Sequence, residues 1–177
     1  MLGYRELSAN CATHKFISGD GEIDSWLRKK ALRDHAAGKH VVTCVREDGQ
    51  DDILGFYALS SVVENAKALP DVKFFPFETD AYFPCLQLVY LAVHRPHQRQ
   101  FYGTAIMAEM VRKFAEIGQY TGLPAIIVTP LNEDAKRFYL RLGFEPYSNG
   151  SRLVLPLQTA IATVRAANEE IAAESQT

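Results

Sequence analysis

The feature that most restricts how this chain can fold is a nearly continuous apolar run over residues 85–93, followed by a polar loop and then by apolar residues at helical spacing. An unbroken stretch rich in Leu, Val and Tyr is what a strand buried on both faces needs, so 85–93 is the predicted core strand. After the loop at 94–100, Met107, Met110, Val111 and Phe114 recur at i, i+3, i+4 and i+7. That spacing predicts a helix over about 104–117, with Gly118 and Gly122 as stop signals. A second buried strand is predicted at 124–129. Asn132 then opens a helix whose Ala135, Phe138, Tyr139 and Leu142 share a face, and Gly143 ends it. Strand, helix, strand and helix with short connections imply a right-handed parallel crossover within one sheet.

The flanks extend this sheet. Runs at 41–46 and 53–61 are rich in β-formers and joined through Asp48-Gly49, which favours a hairpin turn. Ile23, Trp26, Leu27 and Ala31 follow Asp20, Glu22 and Asp24 at helical spacing and predict a helix over about 22–36. Pro70, Pro76 and the aromatics Phe74, Phe75, Phe77, Tyr82 and Phe83 make 62–83 a predicted irregular segment and, as clustered aromatics, a candidate contact surface. Final strands are predicted at 144–147 and 152–157. The Ala-, Ile- and Glu-rich 158–177 is expected to be a helical tail that frays before Ser175.

With 177 residues and 47% apolar content, the expectation is one globular domain over 1–157 plus that tail. No apolar run approaches a membrane span and no signal layout precedes residue 10, so a cytoplasmic protein is expected. Cys11, Cys44 and Cys85 lack C-x-x-C spacing, and the five histidines lack ligand spacing, so no metal site is expected. A net charge of -2 excludes nucleic-acid binding by bulk electrostatics, so any such contact must be local.

Gln100-Phe101-Tyr102-Gly103-Thr104-Ala105 stands where the loop after the core strand enters its helix. A loop there offers several backbone N–H groups and the favourable end of a helix dipole, the arrangement a pyrophosphate needs. The string resembles the acetyl-CoA loop R/Q-x-x-G-x-G/A of the GNAT superfamily of N-acetyltransferases. The run from Asn132 to Phe144, with Ala135, Phe138, Tyr139, Gly143 and Phe144, looks like that superfamily's A-x-x-F-Y-x-x-x-G-F segment, and Leu91-Ala92-Val93 looks like its L-A-V strand end.

The resemblance implies an α/β (α+β) GNAT fold: a twisted, mixed sheet of six to seven strands flanked by helices, with splayed central parallel strands. It implies acetyl-CoA as co-substrate. Leu91, Ala92 and Val93 would hold the pantetheine arm, and the N–H groups of Arg99, Gln100, Phe101, Tyr102, Gly103 and Thr104 the pyrophosphate, with Ala105 also among the cofactor-binding residues. Asn132 would reach the pantetheine or cap its helix, with Phe138 beside the cofactor. Tyr139 would protonate the departing thiolate.

Residues 16–27, from Phe16 through Gly19, Asp20 and Gly21 to Trp26 and Leu27, then Ala31, Gly38 and 53–60, look like the opening of the tRNA-acetylating toxins of bacterial toxin–antitoxin pairs. That likeness implies acetylation of the α-amine of aminoacyl-tRNA, a block on translation, a ribbon-helix-helix antitoxin and a homodimer. The chain departs from it at Gly19-Asp20-Gly21, where Cys-Gly is usual, and at Tyr90, where Arg is frequent. Arg28, Lys29, Lys30, Arg33 and Lys39, set against Asp24 and Asp34, form the candidate tRNA-facing patch.

An α-amine acceptor needs little help from a base: near pKa 7.7–8.0 it is appreciably neutral at pH 7, whereas only about one lysine side chain in 2,500 is. Glu64 and His94 are the candidate bases. A small-molecule or protein amine as acceptor, and a module that binds CoA or a partner without turnover, stay open as alternatives.

Overall fold

In the computed structural model, which describes residues 2–47, 50, 52–68 and 82–174, seven strands make one mixed sheet. They are β1 (Leu2–Glu6), β2 (Val41–Glu47), β3 (Gly55–Asn65), β4 (Tyr82–Val93), β5 (Ala125–Val128), β6 (Glu145–Tyr147) and β7 (Arg152–Pro156), in the order β1-β2-β3-β4-β5-β7-β6. β2 and β3 pair antiparallel with Val41 opposite Leu59, and β5 and β7 with Ala125 opposite Pro156. Five helices accompany them: α1 (Gly21–Lys29), α2 (Ala31–Ala36), α3 (Tyr102–Thr121), α4 (Glu133–Arg141) and α5 (Leu157–Glu174). Residues 1–60 and 88–108 make one compact unit and 61–87 and 109–177 another, with β3 and β4 contributing to both.

In the first unit, Asp20 caps α1 by accepting from the amides of Glu22 and Ile23, each at 2.9 Å, which satisfies two donors that the helix itself leaves without acceptors. The predicted single helix over 22–36 is in fact two, because Lys30 takes φ -126° and breaks the ladder. The break lets the buried Asp34 carboxylate meet Trp26 Nε1 at 3.2 Å; eight residues along an unbroken helix the two would lie about 12 Å apart on the axis. Phe16, Leu27, Val42, Phe56, Ala58 and Ala92 fill the core here, with Phe16 edge-on to Phe56 at 5.3 Å. Gly55 is required by closeness: a Cβ there would lie 2.9 Å from the Ala92 carbonyl oxygen and 2.6 Å from Ile106 Cδ1. Its absence lets α3 sit against the strands.

In the second unit, Phe83, Cys85, Ala125, Ile127, Tyr147 and Val154 form the core. Phe83 is thus interior, while Tyr82 is exposed. β3 continues to Asn65 and β4 begins at Tyr82, so both strands enter the segment predicted to be irregular. α3 runs past the predicted stop at Gly118, whose missing side chain makes room for Leu157, and ends at Gly122 with φ +69°. α5 starts where the Leu157 amide reaches the Pro124 carbonyl at 2.7 Å. Asp48-Gly49, the stretch from Pro70 through Phe74, Phe75, Pro76 and Phe77, and Ser175 lie outside the described residues.

Cys11, Cys44 and Cys85 are all buried free thiols. Among the described residues no helix is long and apolar enough to cross a membrane, and no three His, Cys, Asp or Glu side chains are grouped to hold a metal ion.

Candidate active site

β4 ends at Val93, and the chain passes through a single 3-10 turn at Arg95–His97 before α3 begins. Short bonds pin this connection. The His94 amide reaches the Leu54 carbonyl at 2.7 Å and the Arg95 amide the Ile17 carbonyl at 2.7 Å. Gln98 Nε2 donates to Ser18 O at 2.7 Å and to Val93 O at 2.9 Å, and Gln100 Nε2 donates to Pro96 O at 3.0 Å.

Arg99 and Phe101 then adopt left-handed backbone, φ 60° and 64°, which costs a non-glycine residue on the order of 1–2 kcal/mol each. Phe101 takes this conformation with its ring 85% exposed, so burial of the ring does not offset the cost. Both residues stand immediately ahead of the first turn of α3, whose leading N–H groups have no acceptor within the helix and suit an anion. Arg99 through Ala105 run from this loop into the first turn of α3. Leu91 and Val93, on the strand leading in, are half-buried, and Ala92 is buried.

In the second unit, Asn132 Oδ1 accepts from the Ala135 amide at 2.9 Å, so of its two expected roles this oxygen performs the cap. α4 carries Phe138 half-buried and Tyr139 buried, with ring centroids 5.3 Å apart, and Phe144 packs 5.5 Å from Tyr139 on the other side. This aromatic enclosure, with no neighbouring charge or hydrogen bond contributing, pushes the Tyr139 phenol well above its ordinary pKa. The group keeps its proton across the whole physiological range.

The candidate bases are otherwise engaged. Glu64 Oε1 is held by Arg152 at 2.6 Å, and His94 Nδ1 accepts from the Ile17 amide at 3.1 Å. On and around the N-terminal helices, Arg28, Lys29, Lys30, Arg33 and Lys39 are exposed, whereas Asp24 and Asp34 are buried. Asp24 Oδ1 is used by Ser18 N and Oγ, at 2.8 and 2.6 Å. Asp34 binds Trp26 and Arg33, and the Arg33 guanidinium beside it holds its carboxyl below the usual range. Sequence reasoning passed over His40, which has no motif around it; its Nδ1 lies 2.5 Å from Ser60 Oγ.

A family model described as the acetyltransferase (GNAT) family matches residues 5–144. The chain belongs to that family. Acetyl-CoA is therefore the acetyl donor and an amine the acceptor of this acetyltransferase. It is similar to a tRNA-acetylating toxin of Mycobacterium tuberculosis, 33% identical over 151 residues that cover 82% of this chain and 87% of that protein. Its fold matches that of AtaT complexed with acetyl-methionyl-tRNAfMet, with a TM-score of 0.80 and 24% identity over 90% of this chain and 96% of that one. It also matches a tyrosine-to-phenylalanine variant of the AtaT toxin bound to the C-terminus of the antitoxin AtaR and acetyl-CoA, with a TM-score of 0.75 and 21% identity over 90% and 96%.

Proposed function

We propose that this acetyltransferase is a toxin that acetylates the α-amine of aminoacyl-tRNA and so blocks translation. The observation that carries this reading is the 33% identity to a tRNA-acetylating toxin across 82% of the chain. Acetyl-CoA supplies the acetyl group as a thioester. The amides of Arg99 to Thr104 hold its pyrophosphate, the backbone of Leu91, Ala92 and Val93 takes the pantetheine arm in the manner of an added strand, and Asn132 and Phe138 line the cofactor. Tyr139 gives its proton to the sulfur as the carbon–sulfur bond breaks and regains one from the acceptor nitrogen, so the proton lost by the amine ends on the thiol.

The cationic face of Arg28, Lys29, Lys30, Arg33 and Lys39 meets tRNA phosphates, a local contact compatible with the net charge of -2. Residues 1–157 act as the catalytic domain and 158–177 as an appended tail. The protein works in the cytoplasm as a homodimer and is neutralised by a ribbon-helix-helix antitoxin. AtaT in complex with its antitoxin supports the partner class.

Mass spectrometry of total aminoacyl-tRNA after incubation with acetyl-CoA tests this directly. N-acetylated aminoacyl ends that vanish with Tyr139→Phe are the expected result. Unmodified tRNA together with CoA release on polyamines or lysine peptides would replace the acceptor. Tight acetyl-CoA binding without release on any amine would remove catalysis altogether.

A further inference from the structure

β4 is an interior strand, fourth of seven, and such a strand is normally covered on both faces. Yet Val89, Tyr90 and Leu91 are each only half-buried. By strand alternation Tyr90 shares its face with Leu88 and Ala92, at 2% and 6% exposure, so the opening on that face is local to Tyr90. Below it lies a rigid floor. The Trp26 ring packs on Tyr90 with centroids 4.2 Å apart, stacks with Phe56 at 6.1 Å, and is held by its Nε1 bond to the buried Asp34. His40 meets the Trp26 edge at 5.8 Å.

The state of His40 follows from its bonds. Ser60 Oγ donates its one proton to the Lys39 carbonyl at 2.7 Å, so at the 2.5 Å contact His40 Nδ1–H is the donor. Burial and the Lys39 ammonium lower the imidazole's pKa, which keeps the ring neutral. Partial burial raises the Tyr90 phenol's pKa, with the carboxylates of Glu22, Asp34 and Asp20 adding to it. The surroundings are thus an aromatic floor and a neutral imidazole.

The proposed acetyl donor binding gives this place a meaning. With pyrophosphate at Arg99 to Thr104 and the arm running back along Val93 to Leu91, the next residue beyond the arm, at its reactive end, is Tyr90. We propose that Tyr90, stacked on Trp26, is the shelf that takes the side chain of the acceptor's aminoacyl group and selects apolar and aromatic residues over acidic ones. This rests on the aminoacyl-tRNA reading above. An apolar side chain gains by covering this aromatic surface, whereas a carboxylate laid on it gives up water.

The test charges one tRNA chemically with Phe, Met, Gly, Asp or Glu, so that only the side chain varies, and compares kcat/KM for acetylation. The wild-type protein is expected to prefer Phe and Met to Asp and Glu by roughly 10- to 100-fold, the range one buried apolar contact supports. Tyr90→Ala should reduce the Phe and Met acceptors at least tenfold toward the Gly value while leaving the KM for acetyl-CoA unchanged. Tyr90→Phe should keep the ranking, which separates a missing shelf from a misfolded protein. Wild-type rates that are flat across side chains, or a Tyr90→Ala loss equal for all acceptors, overturn the shelf alone. Absence of turnover on every charged tRNA overturns the acceptor class and the shelf with it.

Discussion

Arg152 grips the Glu64 carboxylate at 2.6 Å while its guanidinium lies 5.2 Å over the Tyr147 ring, joining β7 to β3 through a half-buried ion pair. Breaking such a pair leaves a charge short of solvent and partner. Glu64→Gln and Arg152→Met should each lower stability by about 2–3 kcal/mol in denaturant unfolding, less than a fully buried pair because water reaches both side chains. The double variant should be less destabilised than the sum. If Glu64→Gln instead leaves stability intact and abolishes turnover, Glu64 is the base after all.

Tyr139→Phe should lower kcat by roughly 10²- to 10⁴-fold, the usual worth of a positioned proton donor. Acetyl-CoA affinity should be unchanged, since Phe retains the packing against Phe138 and Phe144. Thermal stability should hold, because the ring keeps its aromatic neighbours. A fall in Tm accompanied by undiminished kcat would make Tyr139 a packing residue.

The exposed cations of the N-terminal helices can be counted by salt titration. Lys29→Ala with Lys30→Ala should weaken tRNA binding and reduce the slope of log K against log salt by about two, one per lost phosphate contact. The KM for acetyl-CoA should not move. An unchanged slope would leave these lysines as a solvated face.

His40 provides a pH signature. Its imidazole pKa lies below the ordinary value of about 6.5, first through burial and then through Lys39, with Asp34 opposing. The folded state therefore prefers the neutral ring: its contribution is present above the unfolded-state pKa and is lost as pH falls through the folded one. Thermal melts from pH 7.5 to 5 should show a falling Tm that His40→Asn flattens. Equal pH dependence in both proteins would dismiss the effect.

Gly55→Ala should cost about 1–3 kcal/mol, since the new methyl meets the Ala92 backbone as well as the movable Ile106 side chain. The added strain falls between β3 and the helix that presents the loop amides, so weaker acetyl-CoA binding measured by calorimetry should accompany it.

The donor half of the chemistry was legible because it depends on local pattern. Residues 85–105 encode a strand, a turn and a helix start in order, and Asn132, Tyr139 and Gly143 mark the ends and inner face of α4. What escaped was decided by contacts distant in sequence. Gly118 reads as a helix stop, but its true role is to accommodate Leu157, 39 positions later. The continuous periodicity over 22–36 conceals the break at Lys30, which is explained only when Trp26 and Asp34 meet. Strand residues beyond Ser61 carry no clear alternation, and their pairing is set by neighbours rather than by propensity. The Tyr90–Trp26 contact spans 64 residues and leaves no trace in composition or spacing.

All three cysteines lie inside the protein, and burial raises the thiol pKa of Cys44 and pushes that of Cys85 up to about 12. Thiolate is the reactive form, so Cys44 and Cys85 are poor targets for maleimides and disulfide reagents, while Cys11 is shielded by its burial. The wild-type sequence thus serves unaltered as a background for single-site labelling. A cysteine placed at Lys29 or at Phe101 would carry a fluorophore without competition, and would report arrival of tRNA at one position and of acetyl-CoA at the other.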